Sequence, residues 1–325
     1  MTYSIAIRTL GTAGDKFRRE LESIAAQSLR PEKVVVYIAE GYERPGFTVG
    51  MEEYVWVKKG MMSQRILPYD DIASDCILML DDDVLLAPDS AEKMIRAMEA
   101  NDADFIGADV FRNHEMPVRT KFLAAVADWV FPHTGNRWAF KVRRNGSFSY
   151  NNKPEPRYYE TQSGAGPIQL WKKAVFKDLH LEDELWLDRF SFSYAEDRLV
   201  TYKAYVNGKR LGILYGSGVE NLDAGSSSKA FRKSPEWVFV RTQASYMIWY
   251  RSIFRNGRDS FMSRCAAGAD FGLKTLWQLF VMCGLSLVRF NGHFVVSYVK
   301  GLREGRRAVR SDEFRSIPSY CLTEK

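Results

Sequence analysis

The sequence predicts an α/β protein: an open, mostly parallel sheet flanked by helices, followed by a helical C-terminal extension. Three observations carry this expectation. Up to residue 111, short apolar runs alternate with amphipathic segments at strand–helix–strand spacing. The strand candidates are rich in Val and Ile, as suits pleated segments covered on both faces. Beyond residue 270 the pattern changes to an apolar block with a basic flank.

Residues 3–10 form the first apolar run, ending at Gly11. Thr12 and Asp15 stand at capping-box spacing. Phe17, Leu21, Ile24 and Ala25 fall on one helical face. Pro31 stops that helix, and 31–39, with three consecutive valines, reads as a second strand. Residues 54–60 read as a third strand and 76–83 as a fourth. Pro88-Asp89-Ser90 then opens a helix with Ala91, Met94, Ile95 and Met98 inward. Residues 103–111 are a fifth strand. The stretch 112–160 is less regular, with a hairpin turning at Asn145-Gly146. Residues 163–176 join a glycine loop to an apolar segment. Residues 195–206 read as a helix closed by Asn207-Gly208, and "RLGILYG" as another strand. Ser234 as N-cap and Pro235 at the first helical position start a further helix, which Asn256-Gly257 ends.

At 325 residues and 46% apolar, the chain holds one large domain, or one with an appendage, and can bury a sizeable core. It shows no low-complexity stretch or internal repeat, which excludes disordered and solenoid classes. The N-terminus lacks the basic and apolar regions of a signal peptide, so the expected compartment is the cytoplasm. Cys76, Cys265, Cys283 and Cys321 lie far apart without a C-x-x-C pair, as reduced thiols do. His114, His133, His180 and His293 stand singly, without zinc-site spacing.

The net charge of +6 is uneven: residues 229–310 carry 15 Lys/Arg against 4 Asp/Glu. Such asymmetry predicts two surfaces, an acidic one for metal and substrate and a basic one for phosphates of lipid head groups or nucleic acid. Residues 275–288, bracketed by Lys274 and Arg289, are almost wholly apolar. A membrane span needs about 20 such residues. The expectation is an amphipathic helix on a membrane surface, with Lys300, Arg303, Arg306, Arg307 and Arg310 beside it. The competing reading is a buried helix of the globular body.

Asp81, Asp82 and Asp83 end the fourth strand, and ligands of open α/β sheets sit beyond the strands' carboxyl ends. The triplet is either a polar turn or a hard-oxygen metal site. On an extended segment, residues i and i+2 project to one side. Asp81 and Asp83 can then share one task while Asp82 points elsewhere.

Six stretches, in order, resemble glycosyltransferase family 2: "SIAAQSLRPEKVVVYIAEG", "KGMMSQR", "CILMLDDDVLLAPD", "SGAGPIQLWKKAVF", "SYAEDRLVTYKAYVNGKRLG" and "WYRSIFRNG". The match covers about residues 3–257. It implies the GT-A fold, a Rossmann-like sheet, with a catalytic domain over 1–257. Within it, 1–111 would bind the nucleotide sugar and 112–257 the acceptor. Residues 258–325 would be a basic, amphipathic helical region.

The resemblance further implies inverting transfer from a nucleoside diphosphate sugar, a UDP-sugar first, to a hydroxyl of a glycan or lipid-linked glycan. The setting would be surface polysaccharide or glycolipid assembly at the inner face of the plasma membrane. Mn²⁺ or Mg²⁺ would meet the leaving diphosphate, held by Asp83 directly and by Asp81 near the ribose or metal. Asp82 would serve the nucleotide sugar or cap the backbone. Thr9 and Leu10 would offer backbone to the base, and Glu40 would meet uracil or ribose, although the family usually has Asp there. Arg65 would meet the diphosphate or fix the aspartates. Asp197 would be the base, with Glu196 as its neighbour. Gly164, Ala165 and Gly166 would admit the acceptor, and Trp171 would stack on a sugar or belong to the core. No nucleic-acid partner is expected.

Two alternatives stand beside this reading. A nucleotidyltransferase wants a Gly-rich basic N-terminal loop, which "RTLGTAGDKFRR" lacks. A nucleic-acid-binding protein would use the basic tail, but the apolar 275–288 block opposes an exposed nucleic-acid face.

Overall fold

The computed structural model describes residues 1–110, 138–151, 154–190, 195–222 and 234–322. His114 and His133 lie outside these residues, as does 112–137 of the irregular stretch. The chain divides into two compact units. One comprises 1–141, 148–179 and 208–224; the other comprises 142–147, 180–207 and 225–325. Residues 180–207 group with the C-terminal helices rather than with the sheet.

The first unit is built on an eight-stranded sheet in the order β3-β2-β1-β4-β10-β6-β11-β9. The strands are β1 (Tyr3–Thr9), β2 (Val34–Ala39), β3 (Glu52–Val57), β4 (Cys76–Asp81), β6 (Phe105–Ala108), β9 (Tyr158–Glu160), β10 (Ile168–Lys172) and β11 (Leu211–Leu214). β1, β2, β3 and β4 run parallel. β10 runs antiparallel between β4 and β6, and β9 antiparallel at the edge beside β11. A ribbon pairs β5 (Val84–Leu86) with β12 (Val219–Asn221).

Alternation within strands and the 3.6-residue period of helices bury one continuous core. Ile5 and Ile7 of β1, Val36 and Ile38 of β2, and Leu78 and Leu80 of β4 meet Phe17, Leu21 and Ile24 of helix α1 (Asp15–Ala25). Ala91, Met94, Ile95 and Met98 of α2 (Ser90–Ala100) complete it, as their spacing predicts. Burying each Leu- or Phe-sized side chain contributes about 1.5–3 kcal/mol. Two details differ from expectation. Gly14, not Thr12, occupies the N-cap of α1 and offers no side-chain bond, so the capping box does not form. Ala25 is exposed, and Glu20 takes its place on the buried face.

The opposite face of the sheet is aromatic. Trp171 packs on Phe105 and on Phe176 of the short helix α3 (Lys173–Lys177). The expected hairpin forms between β7 (Phe140–Val142) and β8 (Phe148–Tyr150), turning through Asn145 and Gly146.

The second unit is helical. A 3₁₀ segment (Leu181–Arg189) precedes α4 (Glu196–Val206) and α5 (Pro235–Trp249). Ser234 caps α5, its Oγ accepting from the Trp237 N–H at 3.1 Å. α5 runs on as one π turn (Tyr250–Phe254). α6 (Phe261–Val288), α7 (His293–Ala308) and the short α8 (Asp312–Arg315) follow. The apolar 275–288 block therefore lies within a 28-residue helix, of which Ala267 and Phe271 alone are buried. It is not a core helix of the globular body.

Candidate active site

Parallel pairing of β1 with β4 sets their carboxyl ends side by side, with Arg8 in register with Asp81. The Arg8 Nε donates to Asp81 Oδ1 at 2.5 Å. Thr9, one residue on, turns to the opposite face. Its hydroxyl donates to Asp82 Oδ2 and accepts from the Gly11 N–H at 2.7 Å. Asp82 is thus tied down by Thr9, and burial, with the Asp81 charge beside it, raises its pKa.

β4 ends at Asp81, and Asp82-Asp83 form the turn into β5. The expected extended projection of Asp81 and Asp83 is therefore replaced by a bend. β5 must pair with β12, and the Leu222 N–H holds the Asp83 carbonyl at 2.9 Å. Asp81 and Asp83 both remain partly exposed.

Beneath this turn lies Glu20, a residue the sequence reading passed over. It is fully buried, neither carboxyl oxygen lies in a well-formed hydrogen bond, and the nearby Val84 N–H favours its charged form. Burial, and then the charges of Asp82, Asp83 and Asp81, push its pKa well above the usual carboxylate range. Its position three residues after Phe17 on an apolar stripe was the available signal.

Arg65 is also buried, at 2% exposure. Both of its Nη atoms point to the Gly166 carbonyl, at 3.3 and 3.4 Å. The adjacent Pro167 carbonyl accepts the Asp81 N–H at 3.0 Å. Arg65 therefore braces the strand edge that carries Asp81. Of the two roles expected of it, this geometry agrees with fixing the aspartates.

Gly164, Ala165 and Gly166, expected to admit the acceptor, are buried. Gly164 is glycine because a Cβ there would stand 2.3 Å from the Phe105 ring. Ala165 belongs to the core, and the Gly166 carbonyl receives Arg65. Trp171 is fully buried with its Nε1 donating to Gln169, so it offers no face to a sugar.

Leu10 and Glu40 are exposed at the ends of β1 and β2. Beside Leu10 opens a groove of about 390 Å³, lined by Gly11, Gly14, Arg18, Pro45 and Phe47 among others. Gly11 adopts φ 73°, and a Cβ there would stand 2.2 Å from the Glu43 carbonyl oxygen, so only glycine fits. The Arg18 guanidinium lies 5.9 Å from the Phe47 ring centre. An aromatic face with a cation beside it suits a base and a phosphate.

Glu196 and Asp197 belong to the second unit, in the first turn of α4. Glu196 is buried, while Asp197 is partly exposed with its Oδ1 accepting from the Arg198 N–H at 2.7 Å. The helix is pinned by fully buried Lys203, whose Nζ meets Glu184 at 3.2 Å, and by the Tyr320 hydroxyl on the Leu199 carbonyl at 2.6 Å.

Among the described residues no group of three or more His, Cys, Asp or Glu converges as a metal cage. The donor set fits a different case. Mg²⁺-type ions bind through one or two carboxylates plus substrate phosphates. Asp81 and Asp83, both partly exposed, would supply the two carboxylates.

No protein-family model and no curated protein matches the sequence. The structure aligns with the crystal structure of GalNAc-T7 with UDP, GalNAc and Mn²⁺ at a TM-score of 0.52 and 9% identity, covering 79% of this chain and 50% of that one. The fold is the GT-A glycosyltransferase fold. The GT-A chain also aligns with the crystal structure of S. aureus TarS, at a TM-score of 0.47 and 13% identity, covering 83% of this chain and 43% of that one. It therefore spans half or less of the length of these two proteins.

Proposed function

We propose that this chain is a metal-dependent, inverting glycosyltransferase that moves a sugar from a UDP-sugar to a glycan hydroxyl in cell-surface polysaccharide or glycolipid assembly. The observation that carries the reading is the Asp81–Asp83 turn at the joined carboxyl ends of β1 and β4, held by Arg8 and Thr9. The GT-A neighbour GalNAc-T7, solved with UDP and Mn²⁺, supports the same ligand class.

The chemistry follows from charge. The leaving diphosphate gains negative charge as the glycosidic bond breaks, and a divalent ion supplies Lewis-acid stabilisation there. Asp81 and Asp83 would hold it, with Arg8 orienting Asp81. The groove at Gly11 and Phe47 receives the nucleotide. Asp197 takes the proton from the attacking hydroxyl, whereas Glu196, buried, supports the helix. One displacement on the face opposite the leaving group inverts the anomeric centre.

The test combines thermal shift with turnover on a UDP-sugar panel. Asp83→Ala should abolish Mn²⁺-dependent stabilisation by UDP and lower transfer at least about 100-fold. Asp197→Asn should lower transfer by about 10²–10⁴ while the UDP–Mn²⁺ shift stays at the wild-type value. Wild-type turnover by Asp83→Ala would sink the metal reading, and by Asp197→Asn the base assignment.

A further inference from the structure

The second unit carries a surface that the proposed transfer chemistry does not use. Helix α6 has 28 residues, about 42 Å at 1.5 Å per residue. Its best 18-residue window has a mean hydropathy of 1.5, which by length and composition suffices to cross a membrane.

Two of its charges are paired to one turn of the chain. Asp270 faces Arg144 at 3.9 Å, and the Lys274 Nζ donates to the Asn145 carbonyl at 3.0 Å. Both partners are in the turn between β7 and β8. After Lys274 the helix has no charged residue. Its outward stripe is apolar instead: Leu273, Leu276, Phe280 and Leu287 recur at three-, four- and seven-residue steps and are 51%, 66%, 70% and 75% exposed. Phe290, in the turn to α7, is 98% exposed. On α7, Val296 and Val299 continue the exposed apolar surface, and the exposed residues then become basic: Lys300, Arg303, Arg306, Arg307 and Arg310. Phe294 and Tyr298, the inward residues of α7, are already buried beside Val238 of α5.

A surface helix in water turns its polar face out. α6 exposes a row of apolar side chains instead, and an exposed apolar patch of this kind marks an interface. The neighbouring basic row selects the occupant, since apolar insertion beside Lys and Arg is the pattern of anionic lipid surfaces.

We propose that α6, the Phe290 turn and the first half of α7 form an in-plane docking surface for an anionic bilayer. The apolar stripe sinks about 5–10 Å into the acyl boundary, and Arg289 and the basic row of α7 meet lipid phosphates. The helix lies on the membrane and does not span it. Phe271 is stacked on Trp249 with ring centres 4.0 Å apart, and Asp270 and Lys274 are held by the turn, so its inner face is already committed.

The test uses the full chain as Cys265→Ser, which leaves Cys283 as the exposed thiol among the described residues. An environment-sensitive fluorophore on Cys283 is read with vesicles of phosphatidylcholine, with and without phosphatidylserine. The expected result is sedimentation with the anionic vesicles and a blue shift of the label. Leu276→Asp/Phe280→Asp should remove both, and Arg303→Ala/Arg307→Ala should weaken partitioning at least about tenfold, with each variant's melting curve confirming the fold. Three results would overturn the proposal: no vesicle binding, binding without a blue shift, or a concentration-dependent dimer that the Asp variants abolish, which would assign the stripe to a second copy. None of these bears on UDP binding, so the outcome is separable from that of the transfer reading.

Discussion

Glu20 in the α/β unit and Glu184 in the helical unit are both completely buried, and their surroundings treat them in opposite ways. Glu184 accepts from Arg251 at 2.8 and 3.2 Å, from Lys203 at 3.2 Å and from Trp186 at 2.8 Å. Burial pushes its pKa up, but the Arg251 and Lys203 charges outweigh this and hold it below the usual value. Glu20 faces three aspartates, so burial and repulsion together push it up against the smaller opposing pull of the Val84 N–H. The contrast separates architecture from site. Charge that a fold neutralises internally fixes helices in place, whereas crowded carboxylates suppress one another's ionisation.

Glu184→Ala leaves Arg251 and Lys203 buried without their shared carboxylate and should destabilise the protein by about 3–5 kcal/mol. Urea titration measures it, and a loss below about 1 kcal/mol would mean the cluster is ornamental.

A smaller effect is the pH dependence, and its sign differs between the two residues. Glu184 has a folded pKa below its ordinary 4.5, so its contribution is complete above pH 4.5 and is lost as pH falls through the depressed value. The stability gap between wild type and Glu184→Gln should narrow on acidification below pH 4.5. Glu20 has a folded pKa above 4.5, so ionisation of the unfolded chain costs stability as pH rises from 4.5 towards the raised value. In metal-free protein, Glu20→Gln should flatten that decline; parallel curves would refute a neutral Glu20.

The smallest effect sharpens the comparison. At pH 4.5 Glu20→Gln exchanges one neutral group for another of similar shape and should shift stability by less than about 1 kcal/mol. A large loss in chemical denaturation would show that Glu20 is an ionised structural partner, like Glu184.

Local signals were readable where the physics is local. The buried valines of β2, the stripe Phe17, Leu21 and Ile24, the Asn145-Gly146 turn and the Ser234-Pro235 helix start all depend on neighbours within a few residues. What the sequence left open has the opposite property. Whether Trp171 meets a sugar or sits in the core was undecided because a sequence does not reveal that Phe105 lies against it. For Arg65 two roles stood open because its partner, Gly166, is 101 residues away. The bend at Asp82-Asp83 is imposed by β12, more than 130 residues downstream.

By itself, then, the sequence determined the αβ alternation, the aspartate triplet at a strand end, the Glu196-Asp197 pair on a helix start and the apolar–basic tail, because hydrophobic period and turn chemistry act within one or two turns of chain. Only the tertiary structure decided which carboxylate is braced, by Arg8 and Thr9, and which is stranded, at Glu20. It alone decided that α6 turns its leucines out. Those outcomes depend on which distant segments share a surface, and burial, pairing and exposure have values only once the chain has folded.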